Sequence, residues 1–178
     1  MAWNIGRWGG RNISLIFDKV QGVAGTAKTK VNKYYVYIGV IWTILFAGMS
    51  FYWAMGGMIG VRSLGGAIYE QALDPEPSFI TIVWMTGFIK LLGALLILML
   101  LVKWRESRIR MILYLIIKIT GVLLFLYGSL NFITITLSTV DLLEFQLDSY
   151  ATFWRLLFWE PFWMFGGIIY FFTINKAK

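Results

Sequence analysis

The stretch FITIVWMTGFIKLLGALLILMLLV, residues 79–102, decides the fold of this chain. Only one of its residues, Lys90, is charged. An α-helix needs about 20 apolar residues to cross the hydrocarbon core of a bilayer. Three further apolar stretches of similar length are found at Tyr34–Gly57, Met111–Leu137 and Thr152–Ile174. The sequence therefore predicts four membrane-spanning helices.

The composition excludes several classes of protein. An aromatic content of 18% and a mean hydropathy of +0.72 leave a chain of 178 residues too little polar surface to be a water-soluble domain. The chain has no cysteine and no histidine, which are the usual ligands of zinc, copper and haem. We therefore expect no cofactor and no metal site.

The charges predict how the spans are oriented. Twelve of the 16 basic residues lie before the first span, in the 103–110 loop or after the last span. Lysine and arginine near span ends stay on the cytoplasmic side, so both termini should be cytoplasmic. The predicted fold is an all-α, four-helix transmembrane bundle of the up-down-up-down type. The outer loop 58–78 contains Pro75 and Pro77 and is expected to be irregular.

The same charges predict the partners. Basic residues that lie close to span ends favour anionic lipids on the cytoplasmic side and argue against a nucleic-acid partner. A homo-oligomer or a larger membrane complex remains open.

The chain is predicted to have two parts, a basic cytoplasmic arm at 1–33 and a transmembrane domain at 34–178. In the arm, apolar residues follow the spacing of one helix face. They are Ile13, Ile16, Phe17, Val20 and Val23. Two interpretations stay open: a short helix on the inner membrane surface, or a flexible arm ending in the run Gly25–Lys30.

Two charged residues inside the predicted spans are the main candidates for a functional site. Lys90 lies near the middle of the second span, on a face with small residues, and should point into the bundle. Glu160 is the only acid inside a span and precedes Pro161, which should kink the fourth helix. We predict that Lys90 and Glu160 pair directly or through water. Arg155 is expected to reach outward to the lipid headgroups instead.

A polar face on the third span strengthens the case for a pocket. Tyr127, Asn131 and Thr134 recur on one side of its outer half, and Trp163 shares a short run with Glu160. A pocket lined by these residues with Lys90 and Glu160 is one interpretation. The other is that the pair fixes helix register and that the hydroxyl and amide groups only hold helices together.

Three segments resemble a known family. They are Tyr52-Trp53-Ala54-Met55-Gly56-Gly57, the run Lys90–Leu95, and Trp159-Glu160-Pro161-Phe162-Trp163 followed by Gly166-Gly167. They are similar to segments of DUF3995, a family of small bacterial four-span membrane proteins of unknown function. The resemblance implies a multi-pass protein of a bacterial inner membrane and implies no activity.

Two functions follow from the residues. The first is binding or moving a small molecule or lipid through a polar pocket in the outer half of the membrane. The second is a non-catalytic structural or accessory subunit of a membrane complex or homo-oligomer. An enzyme is less favoured, because Glu160 has no nucleophile, metal ligand or phosphate-binding loop beside it.

Overall fold

The computed structural model describes residues 29–140, 142–143 and 147–176, and within these ranges the chain is mostly helical. The α-helices are α1 (Lys33–Ala54), α2 (Gly66–Leu73), α3 (Pro77–Leu98), α4 (Ser107–Thr139), α5 (Ser149–Trp154) and α6 (Glu160–Phe172). Short 3-10 helices occur at Val61–Ser63 and Met99–Leu101, and a π-helical turn, Arg155–Trp159, joins α5 to α6. Two short strands, β1 (Thr29–Val31) and β2 (Ile174–Lys176), form a two-stranded sheet.

The chain forms two compact units. One contains Val31–Ile174 and therefore all the helices named above. The other contains residues 1–30 and 175–178, of which the structure describes 29, 30, 175 and 176. The predicted basic arm falls largely on residues 1–28, which lie outside the described residues, so both interpretations of it remain predictions.

Local sequence signals set where the long helices begin. The side chain of Asn32 caps α1 by accepting a hydrogen bond from the amide of Tyr34 at 3.1 Å. α3 begins at Pro77, whose missing N–H costs nothing in the first turn of a helix. Asp148 caps α5 by accepting from the amide of Ala151 at 2.6 Å. This cap starts the last helical stretch a few residues before the predicted Thr152.

Three helices are long and apolar enough to cross a membrane: Lys33–Ala54, Pro77–Leu101 and Ser107–Thr139. They correspond to the first three predicted spans, with ends that differ by a few residues. The largest difference is in α4, which exceeds the predicted span Met111–Leu137 at both ends. These helices agree with the prediction of a membrane protein.

The expectation of an irregular outer loop at 58–78 is wrong. The loop contains the 3-10 helix Val61–Ser63 and all of α2. Trp53 and Trp159 fix this loop to the ends of the long helices. Trp53 donates its indole N–H to the carbonyl of Ile59, and Trp159 donates to the hydroxyl of Ser63, both at 2.8 Å. Indole donors from α1 and from the π-helical turn therefore give the loop hydrogen-bond partners that its own sequence does not reveal.

The helices pack as two close pairs. α1 lies along α3, α4 lies along α6, and α1 also contacts α6, whereas α3 and α4 touch at only a few residues. The α4–α6 contact is a backbone contact made through glycine. A Cβ at Gly167 would lie 2.5 Å from the amide nitrogen of Phe125 and 2.6 Å from the carbonyl oxygen of Gly121. Glycine at these positions therefore sets the distance between the two helices.

We expect Gly167→Ala to lower the free energy of unfolding by roughly 1–3 kcal/mol, because the added methyl group overlaps backbone atoms that cannot rotate away. Gly48→Ala, on an exposed part of α1 with nothing within 4 Å of its Cβ position, is the matched control. It should leave stability unchanged or slightly raised. Denaturation by sodium dodecyl sulfate in mixed micelles, followed by circular dichroism, measures both. Equal effects of the two substitutions would contradict the close α4–α6 packing.

Candidate functional site

The last helical stretch widens at the π-helical turn Arg155–Trp159, where the amide of Glu160 donates to the carbonyl of Arg155. This bond spans five residues instead of the four of an α-helix. Pro161 follows immediately, and proline inside a helix has no N–H and crowds the carbonyl four residues earlier. A wider turn accommodates that ring. Pro161 thus accounts for the π turn, which lies where the sequence predicts a kink.

The π turn brings the side chains of Arg155 and Glu160 together. Nη2 and Nε of Arg155 donate to Oε1 of Glu160 at 2.6 and 2.8 Å. In a regular α-helix, residues five apart point roughly 140° away from each other, so this contact depends on the wider turn. Glu160 is only 2% exposed, and its Oε2 has no hydrogen-bond partner in the part of the chain that the structure describes. The site therefore holds a buried carboxyl group with one oxygen engaged and one available.

Lys90 is held by α1 instead. Its ammonium donates to the hydroxyl of Ser50 at 2.6 Å and lies 4.1 Å from the centre of the Phe46 ring. No carboxylate of residues 29–140 or 147–176 forms an ion pair with it. The predicted direct pair between Lys90 and Glu160 is therefore wrong, because Arg155 occupies the position of the partner. A link through water stays a prediction.

Lys90, Arg155 and Glu160 all line one cavity of about 420 Å³, here called the charged cavity. Its walls come from α1, the 58–78 loop with α2, α3, one residue of α4, and the π turn with α6. Its polar side chains are Ser50, Gln71, Thr86, Lys90, Tyr127, Arg155 and Glu160. Its aromatic side chains are Phe46, Trp53, Phe79, Tyr127, Trp159 and Trp163. This volume lies in the range of small-molecule sites.

The candidate residues separate into two groups. Lys90, Glu160, Tyr127 and Trp163 line the charged cavity. The Tyr127 and Trp163 rings are 5.1 Å apart in an edge contact. Asn131 and Thr134 do not line it.

The two α4 residues outside the cavity have other surroundings. Asn131 donates its amide back to the carbonyl of Tyr127 on its own helix at 2.9 Å, and Thr134 is exposed. Of the predicted polar face on α4, only Tyr127 therefore reaches the cavity.

Sequence reasoning missed two important residues, Arg155 and Ser50. Arg155 was expected to reach outward to the lipid headgroups, and a regular α-helix would not bring it to Glu160. The signal for the contact is the acid placed next to Pro161, since prolines inside helices accompany wider turns. Ser50 belongs to a stripe of small residues on the first span that is typical of helix packing. Its hydroxyl can be recognised as a hydrogen-bond partner of Lys90 only once the packing of α1 against α3 is known.

The geometry defines a helical protein with three candidate membrane-spanning helices and a charged internal cavity. Residues 43–170 match the family model of DUF3995, described as a protein of unknown function. The match covers more than half of the chain, so the chain belongs to the DUF3995 family and the resemblance is confirmed. No curated protein and no solved structure matches the chain. The matched range includes Ser50, Lys90, Arg155 and Glu160.

We expect Arg155→Leu and Glu160→Leu to be coupled in stability. Arg155→Leu alone should cost roughly 3–5 kcal/mol of unfolding free energy, because it leaves a buried carboxylate without its partner. The double variant should be more stable than the sum of the single losses predicts. Unfolding in mixed micelles measures each variant.

The control for this cycle is Arg62→Leu, which removes an arginine that lies 4.9 Å from the centre of the Tyr150 ring. It should cost no more than about 1 kcal/mol, the usual value for an exposed cation–π contact. Additive losses from Arg155→Leu and Glu160→Leu would show that the two side chains do not interact.

Proposed function

We propose that the chain is a four-span protein of a bacterial inner membrane that binds or moves a small molecule or lipid through the charged cavity. The observation that carries the proposal is that a buried, half-satisfied carboxyl group and a lysine without a counter-anion in the described residues face one cavity. Ionisable groups inside a membrane are costly and usually mark a functional site.

The fourth span is the continuous helical stretch Ser149–Phe172. It contains 24 residues in a row, including the π turn. At 1.5 Å per residue it is about 36 Å long, enough to cross a hydrocarbon core of about 30 Å. The two close helix pairs, α1 with α3 and α4 with α6, then form the proposed bundle.

The orientation follows from the loops. The connection between α3 and α4 carries Lys103 and Arg105, and the connection between α1 and α3 carries Glu70, Asp74 and Glu76. The positive-inside rule places the first connection in the cytoplasm. The termini then share that side, and the charged cavity lies in the outer half of the membrane.

The packing supports entry from the side. α3 and α4 make few contacts with each other, and both contribute to the cavity wall, through Thr86 and Lys90 on α3 and Tyr127 on α4. Tyr127 is 52% exposed. A ligand dissolved in the bilayer can therefore approach the cavity between these two helices.

Filling the cavity tests the proposal. We expect wild-type protein in native-lipid nanodiscs to retain a specific small molecule or lipid, detected by native mass spectrometry. Ala54→Phe should abolish that adduct, because Ala54 lines the cavity and the larger ring occupies it.

Gly48→Phe is the matched control, since it adds the same ring to the same helix at a position with open space around it. It should keep the adduct. Identical adduct patterns in the wild type and both variants would contradict a ligand site in this cavity.

Cysteine labelling tests the topology. Because the chain has no cysteine, single substitutions at exposed positions report directly on their side of the membrane. We expect Glu70→Cys to react with an impermeant maleimide in intact cells whose outer membrane has been permeabilised. Arg105→Cys should react only after the inner membrane is lysed. Labelling of Arg105→Cys without lysis would overturn the proposed orientation.

A further inference from the structure

We infer that the ligand of the charged cavity is a single-chain amphiphile with an anionic head group and a neighbouring hydroxyl. The anionic group is bound by Lys90 beside Ser50, and the hydroxyl donates to Oε2 of Glu160. This inference rests on the proposed function, which assigns a ligand to the cavity but neither its charge nor its orientation.

The charge of the head group follows from the pairing of the basic residues. Arg155 compensates Glu160 through two hydrogen bonds to a single carboxylate oxygen. Lys90 has a hydroxyl and an aromatic ring as neighbours, and no ion pair within the described ranges. The cavity thus carries one uncompensated positive charge. An anionic group supplies the missing counter-charge, whereas a cationic ligand would add to the repulsion.

The hydroxyl of the ligand is inferred from the carboxylate oxygen of Glu160 that has no hydrogen-bond partner in the described part of the chain. An ammonium has three N–H donors, and Ser50 accepts one of them. Oε2 of Glu160 is buried and needs a donor, which an anionic group alone does not provide. Trp163 borders both points, since it lies one helical turn from Glu160 and its ring centre is 6.0 Å from the Lys90 ammonium. The inferred head group therefore lies beside Trp163, with its anionic group at Lys90 and its hydroxyl at Glu160.

The apolar chain of the ligand is inferred from the remaining residues that line the charged cavity. The rest of the cavity wall includes aliphatic side chains from the 58–78 loop and from α3, among them Leu64, Ile68, Ile80 and Val83. An acyl chain can occupy this part of the cavity without desolvating a polar group, because both the chain and the wall are apolar. A purely polar solute of the same charge would leave this wall unfilled.

Chain-matched probes test the charge on the wild-type protein. The probes are oleoyl lysophosphatidate, its 2-deoxy analogue, oleate, monoolein and oleylamine, titrated in neutral micelles at neutral pH and followed by native mass spectrometry. We expect lysophosphatidate and oleate to bind at least about 10-fold more tightly than monoolein, and oleylamine to bind most weakly. The 2-deoxy analogue, which lacks the hydroxyl, should bind several-fold more weakly than lysophosphatidate.

Matched lysine variants test the position of the anionic group. Lys90→Met should reduce the affinity for lysophosphatidate and oleate about 10-fold or more and leave monoolein within about 2-fold. Lys118→Met is the control, because Lys118 is also a lysine in a long apolar helix but lies over the Phe171 ring and does not line the charged cavity. Ser50→Ala is a second variant in case Lys90→Met does not fold. It keeps the charge of Lys90 and removes its hydroxyl partner, so it should weaken anion binding, though less than Lys90→Met does.

The outcomes separate the two proposals. If none of the probes binds while the wild-type protein still retains the adduct that Ala54→Phe abolishes, the proposed function stands and this inference is overturned. If no probe binds and no such adduct is found, both fail. If monoolein or oleylamine binds as tightly as the anionic probes, or if Lys118→Met weakens them as much as Lys90→Met, the ligand site stands and the anionic assignment is overturned. Equal affinity for lysophosphatidate and its 2-deoxy analogue would overturn the role given to Glu160. Tighter binding of the 2-deoxy analogue than of oleate, both of which lack the hydroxyl, would assign the anionic group to a phosphate, and the reverse to a carboxylate; either order supports an anionic group at Lys90.

Discussion

The hydrogen-bonded contact between Arg155 and Glu160 is the interaction on which the site depends. It exists because a π turn places two residues five apart on the same side of the helix, next to Pro161. Through this contact the guanidinium of Arg155 compensates the charge of the buried Glu160 carboxylate. Lys90, on another helix, is thereby left with Ser50 and Phe46 as neighbours and faces the same cavity. A buried ion pair is by itself weak evidence for stability. Its consequence in this protein is that the positive charge of Lys90 stays uncompensated by the described residues.

The fold could be predicted from the sequence to a large extent, because apolar length is the strongest signal in this chain. The three helices long and apolar enough to span a membrane lie within a few residues of the predicted stretches. What could not be predicted depends on contacts between distant residues. The 58–78 loop has the composition of an irregular segment, yet it contains α2, and Trp53 and Trp159 supply hydrogen bonds that fix it. The glycine contact between α4 and α6 likewise becomes visible only in three dimensions.

The site was predicted only in part. Lys90 and Glu160 stand out because charged residues are rare in apolar helices, and both line the cavity together with Tyr127 and Trp163. The partners were wrong, because pairing depends on the pitch of the last helix. A regular α-helix would turn Arg155 away from Glu160, whereas the π turn brings the two side chains together. Asn131 was also placed wrongly in the pocket. Its side-chain amide donates to a carbonyl of its own helix, so this part of the predicted polar face does not line the cavity.

The most direct test of this account is a distance measurement at Glu160 in a lipid bilayer. Solid-state NMR on protein with ¹³C-labelled glutamate carboxyl groups, combined with ¹⁵N-arginine or ¹⁵N-lysine, reports which cation lies beside the carboxyl group. The account predicts strong dephasing of one buried carboxyl signal by arginine, corresponding to the 2.6 Å contact and absent in Arg155→Leu. Dephasing of that signal by lysine and not by arginine would contradict the account. Lys90 would then be the ion-pair partner of Glu160, and its positive charge would already be compensated without a ligand.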